Sequence, residues 1–235
     1  NFFNGNKLFS FPQSIYHLNP LTAYQLHEEN DNTEIDKNSD IRNSKERFGA
    51  CSKKISVIIP TVWAANHYMR KSLLLLDSVD CVNEVIVIDN NAKKTPNWIN
   101  DFGKVKLISS KKRMYFNASV NTGVDICKNE ICCVYNDDII ADMRIFDYIK
   151  DNINKEDGCI FISPEYINTE KTHQGFLKKV NDTIKDRLHH GGGMLMFLNK
   201  SDFIKIPDKL VHHFGDTFIF KINKKQDKQN YLVEG

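Results

Sequence analysis

Four short apolar runs, spaced by helix-like stretches, constrain the fold of this chain most. Ile55–Ile59 (ISVII) stops at Pro60, and Glu84–Ile88 (EVIVI) stops at Asp89. Val105–Ser109 (VKLIS) is the third, and Ile131–Tyr135 (ICCVY) runs into Asn136, Asp137 and Asp138. Short apolar runs closed by turn residues are signatures of buried strands. Between the first two, Met69, Leu73, Leu76 and Val79 recur at helical spacing, so Asn66–Val79 is predicted to be a helix. Thr95–Phe102, Asn117–Lys128 and Asp142–Ile153 are read as further helices, with Asp142 as the N-cap of the last. Strand and helix in alternation imply right-handed crossovers and a mostly parallel sheet. The strands lack polar alternation, as expected when both faces are covered. The expected class is α/β, a Rossmann-type sandwich with a mostly parallel central sheet.

Beyond Asp157 the pattern is less regular. Cys159–Ser163 and Gly193–Leu198 read as strands and Asp216–Asn223 as a short helix, whereas Thr169–Leu188 is polar and ambiguous. At the other end, residues 1–54 differ from the rest. Asn1–Leu26 mixes aromatics with polar residues, and His27–Lys54 is mostly polar and charged. We expect an N-terminal extension and linker over 1–54 and a single domain over 55–235, with the first segment docked on the domain. The chain opens on Asn1, as expected of a partial or processed chain, and no signal peptide is evident.

Composition excludes several classes. Among 235 residues, 41% are hydrophobic and 26% charged, ordinary for a soluble globular protein. A net charge of +2 gives no electrostatic case for nucleic acid or anionic membrane. The longest apolar run, Leu73–Leu76, is far short of the roughly 20 residues of a membrane helix. Six Cys show no CxxC spacing, and Cys132 and Cys133 are strand neighbours pointing to opposite faces. Buried free thiols and a cytoplasmic or other reducing compartment are expected.

The chemistry sits at strand ends. In open α/β sheets, ligands bind at the carboxyl edge. Asp89 and the Asn136–Asp138 cluster share that edge, with Pro60 and Thr61 after the first strand. Each acid taken alone is an ordinary turn or cap residue; two in one sheet favour a site. Asp89 suits a base or ribose donor. Adjacent carboxylates at Asp137 and Asp138 suit a hard divalent cation on a diphosphate. In the third helix, Asn117 and Asn121 lie one turn apart. Asn117 reads as a cap; Asn121, inside the helix, reads as a ligand or loop contact. Gly123 allows this helix to approach a neighbour closely.

In combination these pieces are similar to the family 2 glycosyltransferases with the GT-A fold. The matching segments are Ser56–Thr61 (SVIIPT), Glu84–Asn90 (EVIVIDN), Asn121–Gly123 (NTG) and Val134–Asp138 (VYNDD), over roughly residues 55–220. The resemblance implies a GT-A-like sandwich and inverting transfer from a nucleoside diphosphate sugar, with UDP the expected nucleotide. It implies that Pro60, Thr61, Asp89, Asn121, Asn136 and Asp137 serve the donor. Thr61 and Asp89 would flank the base, and Asn136 and Asp137 would face the ribose and sugar. Asp138 would bind Mn2+ or Mg2+, with His190 as a further contact to metal or phosphate. Asn136 departs from the Asp more usual there. Downstream, Gly215-Asp216 replaces the usual Glu-Asp pair, leaving Asp216 as the general base and His213 as the next candidate. Gly215 is expected to let the chain turn sharply, and Phe214 and Phe218 to shield the carboxylate.

Two other readings compete. One is a catalytically inactive nucleotide-sugar-binding or interaction domain. The other is a nucleotidyltransferase, which would want a Gly-rich, basic loop after the first strand; Pro60–Asn66 (PTVWAAN) has none. The acceptor is left open among glycan, lipid, protein and modified nucleobase, because Glu165–Leu188 and the part after Asn223 are the least legible segments.

Overall fold

The computed structural model describes residues 53–110, 114–168, 175–180 and 193–234. The expected extension, apart from Lys53 and Lys54, lies outside these residues, and so does His190. Among them the elements run β1 (Ile55–Thr61), α1 (Asn66–Ser78), β2 (Val82–Asp89), β3 (Val105–Ser109), α2 (Tyr115–Ile126), β4 (Ile131–Tyr135), α3 (Arg144–Asn152), β5 (Asp157–Ile162), β6 (Phe176–Val180), β7 (Leu195–Asn199), α4 (Gly215–Lys225) and β8 (Gln229–Glu234). A 3-10 turn, Asn97–Asp101, stands where a short helix was expected over Thr95–Phe102, and a second, Ala92–Lys94, precedes it.

All eight strands form one sheet in the order β3-β2-β1-β4-β7-β5-β8-β6. The pairs β1–β2, β2–β3, β1–β4 and β5–β8 are parallel; β7 runs antiparallel to β4 and β5, and β6 to β8. The α/β class is borne out, with a mixed far half. β1 has β2 on one side and β4 on the other, so its carboxyl end opens at the switch point of the parallel half, where such sheets bind ligands.

Alternate strand residues feed two apolar layers, one on each face. Val57, Ile59, Cys133 and Phe197 pack with Met69, Leu73 and Leu76 of α1 and with Ile145, Phe146 and Ile149 of α3. Ile58, Cys132 and Met196 pack with Val120 and Val124 of α2 and with Ile219 and Phe220 of α4. This is the covered sandwich expected from strands without polar alternation. Cys132 and Cys133 fall on opposite faces, and the five described cysteines are free and buried. No helix among the described residues is long and apolar enough to cross a membrane.

Pro60 does not end β1. The strand runs on to Thr61, pairing Pro60 with Ile88 and Thr61 with Asp89. On its other side β4 pairs only as far as Ile58, so that ladder has ended before the residue that lacks an N–H. Asp142 sits one residue before the cap position of α3, Met143, and still accepts from Arg144 N at 3.1 Å.

Candidate functional site

The ends of β1 and β4 are joined by one short hydrogen bond: Thr61 Oγ1 donates to Asp137 Oδ2 at 2.6 Å. The same hydroxyl accepts from Trp63 N at 2.9 Å, closing the turn after β1 around Thr61. Burial pushes the Asp137 carboxyl up from its usual range; the Thr61 bond opposes this and the charge of Asp138 adds to it. Asp138 next to it is exposed. The loop carrying these acids is pinned from below. Ser72 Oγ donates to Ile139 O at 2.7 Å, Tyr135 OH donates to Ser72 Oγ at 3.1 Å, and Ala141 N donates to Tyr135 OH at 3.0 Å. Tyr135 is fully buried, so its hydroxyl works as an internal anchor for the turn.

Asn136 presents the one feature of this edge that asks for a partner. Its N–H donates to Met194 O at 3.0 Å, which holds the residue against the start of β7. Its side-chain Oδ1 is buried with no hydrogen-bond partner among the described residues. An orphaned buried acceptor is costly and is a mark of a site completed by something else. Asn136 lines a cleft of ≈ 560 Å³ together with Asp216, Gly193, Phe116, His212 and His213, among others. Asp216 sits in the first turn of α4, its Oδ1 accepting from Thr217 N at 2.7 Å.

The other expected site residues are placed differently. Asp89 is fully buried rather than presented at the rim. Its Oδ1 accepts from Trp63 Nε1 and Asn91 N, both at 2.8 Å; its Oδ2 accepts from Thr95 Oγ1 and, at 3.4 Å, from Ser109 Oγ. Four donors from its own protein occupy the carboxylate. Pro60 is buried within β1, and neither it, Thr61 nor Asp89 lines the cleft. Asn121 spends both ends of its amide on one loop residue: Nδ2 donates to Ile206 O at 2.8 Å and Oδ1 accepts from Ile206 N at 2.9 Å. That is the loop contact allowed for by its mid-helix position, and Asn121 does not line the cleft. Asn117 is not a cap. It lies inside α2, is 2% exposed, and donates to Leu210 O at 2.6 Å and His213 O at 3.3 Å.

The turn into α4 also differs from expectation. The left-handed residue is Phe214, φ 64°, not Gly215. Phe214 is 67% exposed and lines the cleft together with Asp216. His213 lines the cleft and is exposed.

Asp137 and Asp138 offer hard carboxylate oxygens of the kind that hold Mg2+ or Mn2+ together with substrate phosphates, although no group of three or more His, Cys, Asp or Glu that could hold a metal ion by itself is found among the described residues. Sequence reasoning missed Trp63 and read Asn117 as a cap. Trp63 is buried with φ 62° and bonded to Asp89, and its indole in the turn after β1 was the only available signal.

The fold has solved counterparts. The structure of S. aureus TarS 1-349 superposes with a TM-score of 0.56 at 15% identity, covering 77% of this chain and 57% of that one. The same protein in complex with UDP gives 0.55 at 16% identity, with the same coverage. The chain thus spans a little over half the length of these relatives. No curated protein matches it. The family model for glycosyl transferase family 2 matches residues 56–222, from the second residue of β1 into α4, with β8 outside the match. On that match the chain belongs to glycosyl transferase family 2.

Proposed function

We propose that the protein is an inverting, metal-dependent glycosyltransferase that moves a sugar from a UDP-sugar to an acceptor hydroxyl. The observation that carries this reading is a cleft lined by both Asp216 and Asn136, the first residue of the Asn136–Asp138 turn, whose buried Oδ1 has no partner among the described residues. In this reading Asp137 and Asp138 hold Mn2+ or Mg2+, which when bound neutralises charge on the diphosphate leaving group. His190, outside the described residues, remains a proposed further contact. Thr61 holds Asp137 in place from β1, and Asn136 accepts from a hydroxyl of the ribose or the sugar. Asp89 serves the base from behind, by fixing Trp63 and the turn after β2. Pro60 and Asn121 likewise act by shaping the walls.

Asp216 takes the proton. The acceptor oxygen attacks the anomeric carbon from the face opposite the diphosphate. A new carbon–oxygen bond forms as the bond to the leaving oxygen breaks, and the hydroxyl proton passes to the carboxylate. His212, His213 and Phe214 line the same cleft as Asp216, and in this reading the acceptor enters past them.

The test is a screen of nucleotide sugars for manganese-dependent hydrolysis, repeated with Asp216→Asn. This variant keeps the shape of the side chain and cannot take the proton. We expect a loss of about a hundred- to ten-thousand-fold in kcat, with UDP affinity within a few-fold of the parent. Transfer at the parental rate would remove Asp216 from the role and leave His213 as the candidate.

A further inference from the structure

Asp216 is held in place almost wholly through its backbone. Among the described residues its carboxylate has one hydrogen-bond partner, the N–H of its neighbour Thr217. What sets the direction of the carboxylate is therefore the path of residues 210–215. That path contains Phe214 in the left-handed region, a conformation that costs free energy for a bulky residue and persists only when its surroundings enforce it.

Asn117 lies against this path. Its Nδ2 reaches from α2 to the carbonyls of Leu210 and His213, on either side of the exposed stretch 211–212. Its Oδ1 lies against Gly215: a Cβ built on that glycine would stand 2.2 Å from this oxygen and 2.8 Å from Asn117 Cγ. Gly215 is helical, so it is required here for space and not for backbone freedom. On the opposite side, a Cβ on Gly193 would stand 2.8 Å from Asp216 Oδ2. The carboxylate is thus seated between the bare backbone at the mouth of β7 and a segment strapped to α2.

We infer that Asn117 is a positioning residue for Asp216, and that Gly215 is present because the Asn117 amide fills the volume its side chain would take. The inference rests on the proposed role of Asp216 as the base. It gives a physical reason for a single acid at this position: the space beside Asp216 is occupied by the strut that aims it.

A double-mutant cycle in the full chain separates the two ideas. The four proteins are the parent, Asn117→Ala, Asp216→Asn and the double variant. Three quantities are measured: kcat for the UDP-sugar that the parent hydrolyses with manganese, UDP affinity by calorimetry, and amide hydrogen exchange over residues 208–218. We expect Asn117→Ala to lower kcat by about ten- to a hundred-fold, the scale of a misplaced catalytic group, with UDP affinity within about threefold. Exchange should quicken in the strapped segment. In the Asp216→Asn background the Asn117 substitution should cost nothing further, since both act through one carboxylate. Parental kcat in Asn117→Ala beside an inactive Asp216→Asn would overturn the strut and leave the base standing. Losses that multiply in the double variant would also overturn it. Parental kcat in Asp216→Asn would overturn the base, and the inference with it. Should Asn117→Ala not fold, Gly215→Ala, which pushes the same segment by steric contact alone, takes its place in the cycle with the same expectations.

Discussion

At Asp89 both carboxylate oxygens are taken, by Trp63, Asn91, Thr95 and Ser109, and the residue is fully buried. A charge so placed is stabilised by the number and strength of the bonds it accepts. Asp138, three residues from the buried end of β4, is exposed and, among the described residues, makes no hydrogen bond. Two aspartates at equivalent strand ends thus have opposite characters, because one has indole and hydroxyl donors folded over it. The prediction for Asp89 follows from its donors. In Asp89→Ala the buried Trp63 indole N–H loses its acceptor, which costs about 1–3 kcal/mol before the other three bonds are counted. We expect a lowered urea midpoint in ligand-free protein. If stability is unchanged and only UDP affinity falls, Asp89 contacts the nucleotide directly after all.

Gly123 shows the same economy at the scale of elements. A Cβ there would lie 2.3 Å from Ile58 Cγ2, so α2 packs on β1 closer than any side chain allows. Gly123→Ala must push the helix off the sheet or shift Ile58, and overpacking of this kind costs about 1–3 kcal/mol. Equilibrium unfolding in urea measures it; an alanine that stabilises the protein, as helix propensity alone would have it, refutes the contact. The sequence made this helix and its glycine legible because the pattern is local. β1, β2 and β4 were legible for a similar reason: buried on both faces, they read as continuous apolar runs. β8 was not. Gln229–Glu234 owes its place to tertiary bonds on Asn230, whose Oδ1 accepts from Cys159 N at 2.9 Å and Asn223 Nδ2 at 3.0 Å, and whose Nδ2 donates to Phe220 O at 3.1 Å. No periodicity announces a buried asparagine near the start of a strand. The candidate site divides the same way. Its acids follow strand ends and could be located, whereas Asn117 and Asn121 bond loops 93 and 85 positions away, which spacing does not reveal.

Across the whole domain, the sheet joins a parallel half, β3-β2-β1-β4, to a mixed half, β7-β5-β8-β6. Asp137 is tied to the first half through Thr61, and Asn136 to the second through Met194. A ligand that draws on 136–138 therefore bridges contacts from both halves, and its binding should appear as stability of the domain. A ligand that binds only the folded state stabilises by about 2.7 kcal/mol at a hundred times its Kd. For a chain of this size that raises Tm by roughly 5–11 °C. We expect UDP with Mn2+ to give a shift of this order, and UDP alone or Mn2+ alone to give much less. Asp138→Ala should keep the ligand-free Tm of the parent, since an exposed carboxylate without a hydrogen bond adds little to folding. It should lose most of the shift produced by UDP with Mn2+. Differential scanning calorimetry of parent and variant decides the matter: an equal shift in both proteins would mean that the cation is held elsewhere and that Asp138 is a surface residue of the turn.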